Sequence, residues 1–117
     1  MKKVSRKAAP VTFETVKRIG LTFPNAEEST SYGTPALKAR GKLFARLKED
    51  GESIVINMPF ERREEMMRED PAAYFITDHY LKYPYMLVRL SKVSENALRE
   101  LLQGSYRDAL AAKRRKM

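Results

Sequence analysis

Apolar positions recur along the 117-residue chain with two different periods. Phe13, Val16 and Ile19, with Leu21 at their end, keep helical spacing behind Thr12, a capping residue type, and Gly20 and Pro24 close that run. Asn25 to Glu28 reads as an acidic turn. Residues 29–33 read as a first short strand, broken by Gly33-Thr34-Pro35. Residues 36–40 and 42–48 then alternate with period two around Gly41. Leu37 and Ala39 oppose Lys38 and Arg40. Leu43, Ala45 and Leu47 oppose Lys42, Phe44, Arg46 and Lys48. Asp50-Gly51 is a hairpin turn into a strand at 53–58. Residues 59–70 return to helical spacing, with Phe60, Met66 and Met67 as the buried side. Strands at 74–77 and 85–90 flank an aromatic loop, and the Met-Leu-Val run places the second of them inside the sheet. Ser94 caps a last helix with Ala97, Leu98, Leu101 and Leu102 on its apolar side and Gly104 as a break or bend. Helix, three or four strands, helix, two strands, helix, all with short links, implies an α+β fold. The expected architecture is a single antiparallel sheet of five to six strands, with helices packed on one face and the other face partly open.

Composition alters this picture mainly through charge. The net charge is +8 and the pI about 9.8. Lys2, Lys3, Arg6 and Lys7 at one end and Lys113, Arg114, Arg115 and Lys116 at the other account for eight of the 23 Lys and Arg, leaving 15 against 15 acids between them. The expected organisation is therefore a flexible basic arm at 1–10, one domain at 11–112 and a basic tail at 113–117. Basic arms favour polyanions by releasing counterions. The absence of cysteine excludes disulfides, thiolate metal sites and cysteine nucleophiles, and fits a cytoplasmic location. No apolar run is long enough to span a bilayer and no signal peptide is readable, so no membrane partner is expected.

Candidate chemistry concentrates in residues 32–48. Lys38, Arg40, Lys42, Arg46 and Lys48 share one side of the predicted hairpin with Phe44. Cations neutralise phosphates and an exposed aromatic stacks on a base. His79 is the only histidine. With no cysteine and no second histidine, neither a metal site nor a cofactor is expected. Tyr74, Phe75, Tyr80, Tyr83 and Tyr85 form an aromatic cluster that reads as loop packing. The charges of residues 61–70 read as a solvated helix face. No nucleophile, base and orienting group occur together, so the chain is not expected to be an enzyme.

The segments FP-x-AEESTSYGTPALKARGKLFARL, DPAAYFITDHY and YMLVRLS-x-V-x-x-x-x-LRELL resemble the MmcQ/YjbR family over nearly the whole of residues 11–110. The resemblance implies a YjbR-like, secretion-chaperone-like α+β domain and a DNA-binding role through a double-wing motif. The motifs fall on Tyr32, Gly33, Pro35, Gly41, Lys42, Phe44 and Ala45, on Asp70, Pro71, His79 and Tyr80, and on Arg89 and Leu90. Tyr85 stands where the family pattern carries a tryptophan. The wings implied are residues 36–48 and 74–90.

The functional expectation is DNA binding, largely non-specific, with Lys38, Arg40, Lys42, Arg46, Lys48 and Arg89 on phosphates and Phe44 or Tyr80 stacking. One alternative is a protein-interaction or chaperone-like module, or homodimer, contacting through Phe44, Val55 and Leu87 on an open sheet face. The other is a small-molecule site around His79, Tyr80 and Lys42.

Overall fold

A computed structural model describes residues 10–115, with side chains for 10–111. The basic arm expected before Pro10 lies outside the described residues. Of the basic tail, only the backbone through Arg115 is described.

Helix α1 (Phe13–Gly20) follows Thr12, whose N–H donates to the Thr15 hydroxyl at 3.1 Å. Six strands follow: β1 (Ala26–Ser31), β2 (Thr34–Ala39), β3 (Lys42–Leu47), β4 (Ser53–Asn57), β5 (Tyr74–Phe75) and β6 (Tyr85–Arg89). Helix α2 (Phe60–Glu69) links β4 to β5, and helix α3 (Glu95–Arg115) ends the described chain. The strands form one antiparallel sheet in the order β1-β2-β3-β4-β6-β5. The fold is thus α+β with a single sheet. Met86, Leu87 and Val88 of β6 are all fully buried, as an interior strand covered on both faces requires.

Thr34 and Pro35, expected as a break, lie in β2, β5 is shorter than the expected 74–77, and two further differences have a clear cause. β1 begins at Ala26, inside the expected acidic turn, because Ala26, Glu27 and Glu28 pair with Ala39, Lys38 and Leu37. Helix α3 runs through Gly104 unbroken, and Ser94 caps it through a 3.1 Å bond from the Ala97 N–H. Tertiary packing of its apolar stripe outweighs the roughly 1 kcal/mol propensity cost of a helical glycine.

Tyr32-Gly33 and Arg40-Gly41 are two-residue turns with positive φ at every position (53°, 80°, 54° and 79°). This geometry matches the twist of adjacent antiparallel strands. The two turns make β1, β2 and β3 a tight meander.

Helices α1 and α3 cover one face. Val16, Ile19, Leu37, Ile54, Ile56, Met86, Val88, Leu98 and Leu102 form the core between the layers. Gly20 allows close approach of α1 to the sheet, since a Cβ there would stand 2.5 Å from Leu37 Cδ1.

The strongest departure from simple alternation lies in β3. Leu37 pairs with Ala45 and Lys38 with Leu43, which leaves Phe44 as an extra residue, a β-bulge. The bulge turns Phe44 into the helix-covered core, where it is 1% exposed and packs on Phe23 and edge-on to Tyr106. Burying a phenylalanine is worth about 1.5–3 kcal/mol, which a solvent-facing position would forfeit. The expectation of an exposed Phe44 is therefore corrected.

Beyond the bulge, β3 and β4 separate, and α3 supplies the missing ladder partners. Ser105 Oγ donates to the Phe44 carbonyl at 2.6 Å and accepts from the Asn57 N–H at 2.8 Å. Asn57 Nδ2 donates to the carbonyls of Leu43 (3.2 Å) and Ser105 (3.0 Å). Ser105 is fully buried, so Ser105→Ala strands a carbonyl and an N–H. We expect a loss of about 2–3 kcal/mol by urea denaturation; a loss below about 0.5 kcal/mol would show that the seam does not depend on this hydroxyl.

At the other end of β3, Asp50 accepts from the N–H groups of Glu52 (2.8 Å) and Ser53 (2.9 Å). Partial desolvation acts to raise its pKa, but these bonds, the Ser53 hydroxyl and Lys48 together hold it below the ordinary aspartate value. A depressed carboxylate stabilises the fold above its unfolded value, about 3.9, and loses that contribution as pH falls through the lowered one. Asp50→Asn keeps an acceptor without a charge. The stability gap between wild type and Asp50→Asn should accordingly narrow below about pH 4; a gap constant with pH contradicts this account.

Candidate binding cleft and basic turn

The face away from α1 and α3 is not bare. Residues 76–85 fold across its centre. Tyr80 packs on Val55 and Leu87, with Phe75, Ile76 and Tyr85 around it. Val55 is 4% exposed and Leu87 fully buried. Neither they nor Phe44 can serve as the contact residues expected on an open face.

Arg63 of α2 holds this covering segment in place. Its side chain is 2% exposed. Nη1 donates to the carbonyls of Tyr80 (3.0 Å), Tyr83 (2.7 Å) and Tyr85 (3.0 Å), and Nη2 to that of Leu81 (3.1 Å). Four carbonyl dipoles converge on the buried guanidinium, and Glu64 stands 3.9 Å from Nε, which has no hydrogen-bond partner among the described residues. Phe60 lies 4.9 Å over the guanidinium and remains 44% exposed. The pattern of residues 61–70 as a solvated face is corrected at this one position. Arg63 falls three residues before Met66 and shares its buried side, which is the signal the sequence carries.

Between the Tyr32 turn and the covering segment lies a cleft of about 400 Å³. Tyr32, Arg46, His79, Tyr80, Tyr83 and Tyr85 line it, over a floor that includes Leu43 and Val55. Arg46 pairs with Val55 in the ladder and is 4% exposed. Its Nη2 donates to the Tyr80 hydroxyl at 3.0 Å. Its Nη1 donates to Thr34 Oγ1 (3.1 Å), Glu49 Oε2 (3.4 Å) and the Leu47 carbonyl (3.5 Å). The Tyr32 ring centroid lies 5.2 Å from the guanidinium carbon. Glu49 is held below the ordinary glutamate value by its own backbone N–H, against some desolvation, and by Arg46 and Lys48. His79 and Tyr85 each meet Tyr80 edge-on, and Tyr83 stacks near Tyr85.

The sequence-derived candidates thus divide into three groups. Tyr32, His79 and Tyr80 come together around Arg46, which is a cleft residue rather than an exposed phosphate contact. Lys38, Arg40 and Lys42 stand at the Arg40-Gly41 turn. Arg40 is exposed and the two lysines half-buried. Lys38 faces Glu27 across the ladder, yet none of the three closes an ion pair among the described residues. Lys48 and Arg89 lie at the opposite end of the sheet, beside the Asp50-Gly51 turn. There Lys48 pairs with Glu49. Arg89 donates to the Ala72 carbonyl at 3.0 Å and covers the Phe75 ring at 4.0 Å. Gly33 and Gly41 serve the two turns, and Pro35 lies exposed in β2. Among the described residues, no group of three or more potential metal ligands occurs, and no helix is long and apolar enough to cross a membrane.

A six-stranded antiparallel sheet with two helices on one face and a tyrosine-lined cleft on the other makes a small α+β domain. The YjbR family model matches residues 21–108, and the chain belongs to the YjbR family. Among solved structures, it is similar to protein DR2400 of Deinococcus radiodurans, whose domain is designated DUF419. That match has a TM-score of 0.71 and 22% identity, and covers 85% of this chain and 79% of that one. At this identity the likeness speaks to the fold alone. No curated protein matches the chain.

Arg63→Met would remove the guanidinium from four carbonyls, of which those of Tyr80 and Tyr83 keep one backbone N–H each. We expect a loss of about 3 kcal/mol and a collapse of the near-ultraviolet tyrosine circular dichroism. Arg63→Lys should recover little, because an ammonium lacks the planar fork that reaches several carbonyls at once. Full recovery by lysine would mean that charge alone holds the segment.

Proposed function

We propose that this protein binds DNA, mainly through phosphate contacts at the Arg40-Gly41 end of the sheet. The observation that carries this reading is the gathering of unpaired cations there. Among the described residues, Arg46, Arg63 and Arg89 are committed to internal partners, whereas Lys38, Arg40 and Lys42 are not. The phosphates of a duplex meet a protein at its surface, and cations whose guanidinium groups are turned into the fold do not reach them.

The course of α3 supports the same end. The helix begins where β6 finishes, and at Ser105 it has reached Leu43 and Asn57, near the Arg40-Gly41 turn. Tyr106 fixes it there by donating to the Pro24 carbonyl at 2.8 Å. Ten further residues at about 1.5 Å each carry its backbone about 15 Å onward. Lys113, Arg114 and Arg115 lie on that extension. The β2–β3 hairpin is then one wing of the implied double wing. The role is one of binding rather than catalysis.

The test is a salt titration of duplex DNA binding. Replacing Lys38, Arg40 and Lys42 together by Ala should reduce the slope of log K against log salt by about 0.9 for each phosphate no longer neutralised. Replacing Lys48 and Arg89 should leave it unchanged. An unaltered slope in the triple variant, with binding abolished only by removal of residues 1–9, would reject the turn as the interface.

A further inference from the structure

The cleft contains features that phosphate binding at the turn does not use. Tyr32 is 84% exposed. It also occupies a left-handed backbone position, φ 53°, where asparagine or glycine is favoured and a bulky side chain is strained. An aromatic held in that conformation with its ring in water is a cost to the fold, and such costs concentrate at functional sites. Its ring lies against Arg46, a guanidinium more than nine-tenths buried yet lining the cleft. The hydrogen bonds of Arg46 use Nη1 and one Nη2 hydrogen. Among the described residues, Nε–H and the second Nη2 hydrogen have no acceptor. Its carboxylate partner, Glu49, is 58% exposed and reaches it only at 3.4 Å. The buried cation thus keeps donors that no group among the described residues takes up, in a side chain that lines the cleft.

The sheet order sets the shape. Tyr32 arrives from the β1–β2 side of Arg46, and Tyr83 and Tyr85 from the β6 side, with β3 and β4 as the floor between them. A volume of about 400 Å³ is within the range of small-molecule sites, which combine apolar walls with a few convergent polar groups.

We propose that this cleft is a binding site for a small planar aromatic carboxylate, its acid group on Arg46 and its ring among Tyr32, Tyr83 and Tyr85. A guanidinium with spare parallel N–H donors matches a carboxylate, and tyrosine rings match a flat ring. The site stands independently of the DNA-binding reading and survives its failure.

Benzoate serves as the probe, followed by the tyrosine ring resonances in NMR. Benzamide, equal in shape and uncharged, is the comparison. Benzoate should saturate at about millimolar concentration or below, shifting Tyr32, Tyr80, Tyr83 and Tyr85 but not Tyr74 or Tyr106. Benzamide should bind at least about tenfold more weakly. Glu49→Gln removes the exposed competitor for Arg46 and should tighten benzoate binding several-fold. Tyr32→Asn creates an Asn-Gly turn, so its melting temperature should not fall while benzoate binding is lost. That combination separates a binding role for Tyr32 from a structural one. Equal binding of benzoate and benzamide, absence of saturation, shifts confined to Tyr74 or Tyr106, weaker binding in Glu49→Gln, or undiminished binding in Tyr32→Asn would each overturn the proposal.

Discussion

Phe44 is one residue more than β2 can match, and its carbonyl is received by Ser105 of α3. Much of the molecule depends on that arrangement. Strict alternation in β3 would place Phe44 and Arg46 on one face. With the bulge, Phe44 turns into the helix layer while Arg46 stays on the other side. The core gains its central aromatic, and the far face gains a buried cation. The separation of β3 from β4 that follows would leave backbone groups unpaired in a dry interior. Ser105 and Asn57 satisfy them, so the bulge is held by the helix that covers it.

A second polar device acts on the other face. Arg63 draws the carbonyls of Tyr80, Leu81, Tyr83 and Tyr85 around one guanidinium. A segment with little regular secondary structure is thereby given a fixed path. Its tyrosines become the wall of a cleft instead of a mobile loop. Arg46 then bridges this wall to the meander by donating to the Tyr80 hydroxyl and Thr34. Both arginines come from stretches dense in charge, and both are buried because planar donors meet several acceptors there at once.

The cations that remain outside are sorted by what they can do. Those near the Asp50-Gly51 turn are tied to Glu49, to Ala72 and to the Phe75 ring. Those at the Arg40-Gly41 turn have no such ties among the described residues, and α3 extends toward their end of the sheet. The body of the chain is formally neutral, but neutrality of a sum does not make its surface uniform. The same fold can therefore present a phosphate-facing end and, separately, an aromatic cleft with one buried charge.

The fold class, the strand and helix order, the Asp50-Gly51 turn, the Ser94 cap and the interior position of β6 were legible in the sequence. Each follows from period, capping chemistry or turn chemistry acting over a few residues. The motif residues Tyr32, His79 and Tyr80 were legible as positions but not as neighbours. Their meeting around Arg46 depends on β3 and the covering segment being brought together across more than thirty residues. The placement of Phe44 was misread because a bulge leaves no mark in an alternating pattern, being decided by the partner strand and by Ser105. For Arg63 the sequence carries only a weak signal, its spacing from Met66, because a charge is placed on the buried side of a helix only when the carbonyls it serves are in place. Local periodicity determined the elements. Which polar groups entered the interior was decided only by tertiary structure, because a buried charge is tolerated only where distant backbone groups converge to satisfy it.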